Sequence, residues 1–313
     1  MRPGWVPDRR VHGGDGFRLA AGLGLDPSEV LDLSASLCPV APDPGPVVAS
    51  HLDALGRYPD TARATACLAE VMGVEPEHLL LTNGGAEAIQ LVGAHLGGTV
   101  EEPDFSLYPR HGGPQWRSNP NNPLGTLAGP ADEAGVWDEA FWPIATGTWT
   151  RGDHLAGAVV VGSLTKLLAC PGLRIGYVLC ADPAVMEAVR AGQPAWPLNG
   201  LAAEALPDLL APVDLPVWAE AVSGMRGELC RLLSGRGLSV RSEGCGPRSW
   251  STTPARYVAI CCDEGWWCGT APVSGCPGRS VSPFPTLCAG TNSSTPCARR
   301  GCLRTGVQAP SRR

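Results

Sequence analysis

The stretch "LAGAVVVGSLTKLLACPGLRIGYVLC" (155–180) decides the reading of the fold. An apolar run over 157–162 reads as a strand buried on both faces, and it ends in the polar turn Ser163–Thr165. A second apolar run, "LRIGYVLC" (173–180), follows and leads into the helical pattern "DPAVMEAVRAG" (182–192). Upstream, "HLLLTNGGAEAIQLVGAHL" (78–96) repeats the theme with a strand over 78–82, a glycine turn, and a helix from about Ala86. "AGVWDEAFWPI" (134–144) holds a short strand that ends at Asp138. Strands alternating with helices predict a largely parallel α/β sheet. "TARATACLAEVMGV" (61–74) and the segment 215–237 read as further helices, the second long and amphipathic, and 17–31 and 47–56 read as short helical pieces.

Lys166 is the only lysine in 313 residues. A composition that writes nearly every long cation as arginine explains the rarity, so the position of Lys166 carries more weight than its being alone. It follows a buried strand, where α/β sheets place their ligands. A lysine in a low-dielectric site has a lowered pKa and can attack a carbonyl; on a loop it is simply a solvated cation. "TNGG" (82–85) places glycines at a helix start, where free N–H groups and the helix dipole favour an anion such as phosphate. The alternative is an ordinary turn in which glycine supplies an unusual φ. Asp138 has the same two faces: a strand-end acid that could keep a pyridinium nitrogen protonated, or a local cap. Neither G-x-x-x-x-G-K-[ST] nor a complete G-x-G-x-x-G is present, which disfavours ATP and dinucleotide sites.

A formal net charge of −6 argues against a nucleic-acid partner. No apolar run approaches the ~18–20 residues of a membrane span, and the first residues show no apolar signal core, so a cytoplasmic protein is expected. Composition changes sharply near Glu243. Of 13 cysteines, eight lie beyond residue 244, and the only acids there are Asp263 and Glu264, against eight arginines. These cysteines lack C-x-x-C spacing, so a metal site is not expected. Beyond 244 only "RYVAICC" (256–262) reads as a strand. Such a tail is expected from a reading frame that slips near codon 243; a clean open frame in resequenced DNA would exclude this.

Nine motifs in order, "HGGD" (12–15), "LDLSASLCPV" (31–40), "RYPD" (57–60), "LTNGGAEAI" (81–89), "EPDFSLYPR" (102–110), "SNPNNPLG" (118–125), "VWDEAF" (136–141), "SLTK" (163–166) and "GLRIGY" (172–177), resemble the fold-type I pyridoxal-phosphate enzymes. Within them the chain is most similar to the threonine-phosphate decarboxylase and histidinol-phosphate aminotransferase group. The resemblance implies a PLP-dependent transferase-like α/β fold. It would comprise an N-terminal arm (1–30), a large cofactor domain with a mainly parallel sheet (31–192), and the helical start of a smaller α+β domain (193–244), before the unreadable tail (245–313).

It further implies pyridoxal 5'-phosphate as cofactor and Lys166 as the residue that holds it covalently and shuttles protons. Gly85 and Ala86 would hold the phosphate through N–H groups, with Ser163, Thr165 and Arg174 completing that site. Phe105 would stack on the pyridine ring, Asp138 would pair with its nitrogen, and Asn122 would reach its 3-oxygen. Tyr58 would reach a neighbouring subunit's phosphate, which implies a homodimer. His12 and Arg304 are substrate candidates by position, and the substrate would be a small, phosphorylated amino acid.

"HGGD" and Phe141, where transaminases usually carry Tyr, lean toward the decarboxylase. Three readings stay open: decarboxylation of threonine phosphate, transamination, and a product whose substrate domain is disrupted. The sequence also departs from the pattern. Cys38 stands where the family has Asn. Tyr108 and Asn119 are eleven residues apart, too close for the usual crossover, and Asn122–Asp138 is short as well. Part of the sheet or its cover is therefore expected to be missing or rerouted.

Overall fold

A computed structural model describes residues 13–14 and 16–236, together with the backbone of 266–267. The chain divides into two compact units, one built from residues 1–35 and 255–313 and the other from 36–254.

In the first unit, α1 (Gly16–Leu23) precedes β1 (Leu31–Asp32), which pairs in parallel with Trp266–Trp267. Asp32 ties the unit together by accepting from Gly16 N at 3.0 Å and from Ser34 N at 2.9 Å. Gly13 lies so close to Ser34 that a Cβ there would sit 2.1 Å from the Ser34 carbonyl oxygen. The glycines of "HGGD" thus pack on the "LDLSAS" segment; His12 itself falls outside the described residues.

In the second unit the chain runs through α2 (Gly45–Ser50), α3 (Ala62–Met72), β2 (Leu79–Asn83), α4 (Gly84–Leu96) and β3 (Thr99–Val100). β4 (Gln115–Ser118), β5 (Val136–Asp138), α5 (Trp142–Thr146), β6 (Val159–Ser163), α6 (Leu164–Leu167) and β7 (Ile175–Leu179) come next. α7 (Pro183–Ala191), α8 (Gly200–Leu210) and α9 (Leu215–Gly235) complete it. α3 stops at Gly73, whose left-handed φ of +65° closes the last turn.

The sheet has the order β2-β7-β6-β5-β4-β3. β3 through β6 are mutually parallel, and β7 runs antiparallel to both β6 and β2. The predicted parallel character holds, with β7 as the exception. Alternation of side chains across the pleat divides the core into two layers. Leu79, Leu81, Val160 and Leu179 face the layer built with α3, α8 and the start of α9. Leu80, Val159, Val161 and Val178 face Val92 of α4 and Met186 and Val189 of α7. Burial on both faces explains why β6 reads as an unbroken valine run.

The expected shortening is visible at the other end of the sheet. Residues 101–114 join the parallel pair β3 and β4 without a helix, as do 119–135 between β4 and β5. Close glycine packing makes the first connection possible. A Cβ on Gly113 (φ +121°) would lie 2.3 Å from Leu96 O, and one on Gly98 would lie 2.4 Å from the Trp116 ring. α9 buries Leu215, Trp218, Ala219 and Val222, while Met225, Leu229 and Leu232 on its second half are exposed. The boundary near Glu243, the segment 256–262 expected as a strand, the rest of the tail apart from the backbone of 266–267, and Arg304 lie outside the described residues.

Candidate active site

Three strand ends converge to form the site. β2 ends at Asn83, and α4 starts at Gly84 (φ +76°), two residues earlier than the sequence pattern suggests. Glu87 reaches back to accept from Asn83 N at 2.7 Å, which fixes the helix entry. The first N–H groups of an α-helix have no partner within it, so this end of α4 presents donors. Arg174, at the entry of β7, brings its guanidinium to this turn. A Cβ on Gly84 would stand 2.5 Å from Arg174 Nη2. Ser163, at the end of β6, lies on the other side, where a Cβ on Gly85 would meet the Ser163 Cβ at 3.2 Å. Ser163 Oγ and Thr165 Oγ1 are 2.7 Å apart. Gly176 lets β7 press directly against the turn, since a Cβ there would lie 2.3 Å from the Gly84 carbonyl carbon. A cation, two hydroxyls and a helix N-terminus thus share one small space, which suits a phosphate in charge and in donor chemistry.

Lys166 lies in α6, half-buried, and Cys38 N donates to its carbonyl at 2.9 Å. Burial lowers the Lys166 ammonium below the usual lysine value, and the Arg174 charge adds to this, while Asp138 acts in the opposite direction. Cys38 is buried, and burial pushes its thiol up.

Asp138 is buried at the end of β5. Its Oδ1 accepts from Ala140 N at 2.9 Å and its Oδ2 from the Tyr108 hydroxyl at 2.8 Å. Burial raises its carboxyl; the Ala140 N–H, the Tyr108 hydroxyl and the Lys166 charge oppose that rise. Asp138 is therefore both a capping acid, through Ala140, and an acid within electrostatic reach of the lysine.

Phe105 packs edge-to-face on Tyr108 with ring centroids 5.6 Å apart. Asn122 N donates to Ser118 Oγ at 2.6 Å, which seats Asn122 just beyond β4. Tyr58 is set apart from this group: it is 76% exposed and stacks on Trp196 at 4.5 Å.

Sequence reasoning missed two participants. Tyr108 was noted only for its spacing, although its hydroxyl holds Asp138. Asp104 lies next to Phe105 and bonds to Ser118 through both the Ser118 N–H, at 3.1 Å, and the Ser118 hydroxyl. Burial pushes the Asp104 carboxyl up to about 6 against these bonds. The only signal for either residue was its place in "EPDFSLYPR" beside the expected ring-stacking Phe105. Among the described residues no cluster of His, Cys, Asp or Glu is placed to hold a metal ion, and no helix is long and apolar enough to cross a membrane.

Residues 117–243, which carry Asn122, Asp138, Lys166 and Arg174, match the family Aminotransferase class I and II. The chain is similar to the threonine-phosphate decarboxylase of Salmonella typhimurium, with 29% identity over 250 residues covering 62% of this chain and 68% of the relative. It is also similar to the histidinol-phosphate aminotransferase of Stutzerimonas stutzeri, with 27% identity over 237 residues covering 59% and 64%. The chain thus spans about two thirds of the length of these relatives. Among solved structures, the histidinol-phosphate aminotransferase from Sinorhizobium meliloti in complex with pyridoxal-5'-phosphate shares the fold. Its TM-score is 0.59 at 14% identity, covering 77% of this chain and 81% of that one. The matched segment therefore contains the lysine, the arginine and the acid, while the Gly84–Gly85 turn and Phe105 lie ahead of it.

Proposed function

We propose that the chain is a pyridoxal-phosphate enzyme that decarboxylates L-threonine O-3-phosphate to aminopropanol phosphate, a step of cobalamin synthesis. The observation that carries the cofactor assignment is the gathering of Arg174, Ser163, Thr165 and the α4 N-terminus around one turn, with Lys166 and Asp138 on adjacent strand ends. The fit is testable on the backbone. Gly84 leaves open the space that a Cβ would fill against the Arg174 guanidinium, and a phosphate needs that approach.

Bound there, pyridoxal phosphate supplies an electron sink for the charge that develops at the substrate Cα. This chain's residues do the rest. Arg174 and the first N–H groups of α4 hold phosphate oxygens, with Ser163 and Thr165 as hydroxyl partners. Asp138 keeps a proton on the pyridine nitrogen by remaining anionic beside it. Phe105 would cover an apolar ring face, and Asn122 would meet the ring's 3-oxygen. Burial and the Arg174 charge favour the neutral amine of Lys166. Its neutral Nζ would first accept the proton that the substrate ammonium gives up and would then deliver it to Cα as CO2 leaves, so hydrogen replaces the carboxylate with no external oxidant.

Support for the decarboxylase over the transaminase comes from the similarity to the Salmonella protein and from Phe141. That residue is buried and offers no hydroxyl where a tyrosine would. The similarity to the Stutzerimonas protein keeps an aminotransferase as the second reading. A third is a chain that holds the cofactor but turns nothing over, because the break in composition near Glu243 falls before the region expected to form its substrate domain. The association into homodimers through Tyr58 belongs to the same proposal.

The purified chain, loaded with pyridoxal phosphate, is incubated with threonine phosphate. CO2 release without conversion of the cofactor to its amine form supports the first reading, and accumulation of the amine form supports the second. A visible absorbance band that depends on Lys166, with no turnover of any amino acid, supports the third. No such band removes all three.

A further inference from the structure

Asp138 has an unusual neighbour. Tyr108 comes from the helix-free connection 101–114, is 3% exposed, and donates its hydroxyl to Asp138 Oδ2 at 2.8 Å. Trp116 and Phe105 flank its ring, at centroid distances of 5.3 Å and 5.6 Å, so the phenol has little freedom to turn away. Ser118, at the end of β4, donates its hydroxyl to Asp104, so the only proton the phenol shares is the one it gives Asp138. The phenol is held far from ionisation by burial and by the charges of Asp138 and Asp104, so it stays a donor at every working pH. The carboxylate spends one lone pair of Oδ1 on Ala140 N and one of Oδ2 on Tyr108. A carboxylate has about four such sites, which leaves acceptor capacity for a further N–H.

We propose that Tyr108 is a positioning residue for the reaction: its hydroxyl fixes the Asp138 carboxylate and keeps it anionic, so that the acid can hold a protonated pyridine nitrogen. The inference rests on the pyridoxal-phosphate reading and adds a residue that acts only through Asp138. The contact comes from the connection 101–114, from which Tyr108 reaches the end of β5. Several charged or titratable groups bear on the acid: Lys166 from α6, Tyr177 from β7, and Asp104 from the connection that carries Tyr108. Lys166 favours the anion, while Tyr177 is a buried phenol that the Asp138 charge holds un-ionised. Removing the Tyr108 hydroxyl takes away one of the stabilisers of the anion that offset burial. The Asp138 carboxyl then moves further up, and the protonated, non-pairing form persists to higher pH.

The test measures the dissociation constant of pyridoxal phosphate for the full chain from pH 5 to pH 9. The wild-type chain is compared with Tyr108→Phe, and thermal melting checks that both are folded. The expected result is an acid-side loss of affinity that begins at higher pH in the variant. Near neutrality the variant binds about tenfold more weakly, the size expected for losing a hydrogen bond to a charged group, and the two curves converge at alkaline pH. In an Asp138→Asn background the same change should alter affinity less than about twofold, because the two residues act as one unit. If Tyr108→Phe does not fold, 3-fluorotyrosine at position 108, a stronger donor of nearly the same shape, should move the acid limb to lower pH, and no movement overturns the inference. An unmoved acid limb, or a uniform loss at all pH values that persists in Asp138→Asn, overturns the inference. A wild-type chain that binds no pyridoxal phosphate removes the function reading instead.

Discussion

The two sides of the site are built differently. On the side proposed for the phosphate, β2, β6 and β7 meet across glycines. The backbone of Gly176 touches the Gly84–Gly85 turn, and Arg174, Ser163 and Thr165 close around it. On the ring side, Phe105, Asp104 and Tyr108 arrive on a connection with no helix, and side-chain hydrogen bonds do the holding. Backbone packing tolerates almost no change, whereas a hydrogen-bonded network responds to pH. The phosphate side should therefore fail through sterics and lost charge, and the ring side through protonation.

The largest effect that tests this contrast is at the residue both sides share. Lys166→Ala should abolish the visible band formed with pyridoxal phosphate and lower kcat by about 10⁴-fold or more, as loss of a residue central to the chemistry does. Next, Arg174→Ala should weaken pyridoxal-phosphate binding about a hundredfold, measured by titration of the apo chain. Equal loss in pyridoxal binding, which lacks the phosphate, would break the assignment of Arg174 to that group.

Gly176→Ala should destabilise the fold by about 1–3 kcal/mol in a denaturant melt, because its Cβ would strike backbone rather than a flexible side chain. Gly172→Ala, where a Cβ meets open space, serves as the control and should change little. The smallest effect belongs to the ring side. The folded-state pKa of Asp104 is about 6, against 3.8 for the free residue. The folded state thus binds the extra proton between about pH 4 and pH 6, and stability falls as pH rises through that window. Asp104→Asn should escape that loss. Its stability relative to wild type should rise by about 1–3 kcal/mol from pH 4 to pH 7 in paired melts. A flat difference would show that this carboxyl is not held as the structure indicates.

The same division explains what was legible in the sequence. The Gly84–Gly85 turn and Lys166 lie on two short stretches with local strand and turn signals, so they could be read one stretch at a time, whereas Ser163 and Arg174 were expected only through the family resemblance. The end of β5 at Asp138 was readable for the same reason. The missing crossover was also legible, because eleven residues between Tyr108 and Asn119 cannot hold a helix and its turns. What the connection does instead was not. The Tyr108–Asp138 bond joins residues 30 apart, and no local periodicity encodes it. The antiparallel direction of β7 was hidden too, since buried strands of either direction show the same apolar run. Nor does any local pattern specify the sheet order; it is set by the packing of Leu79, Val160 and Leu179 into one layer. Helix α4 began two residues before the expected start, because Gly84 takes a left-handed φ and turns the chain directly out of the strand.

A final consequence concerns Lys166 as a cleavage point. With one lysine in the chain, a lysine-specific protease has a single site, and that site lies half-buried in α6 between the buried residues Thr165 and Leu167. The folded unit should resist such a protease, and each cut should mark one opening of the segment between β6 and β7, yielding two fragments of nearly equal length. A single band on a gel thus becomes a clock for the local opening of the site, readable without any substrate.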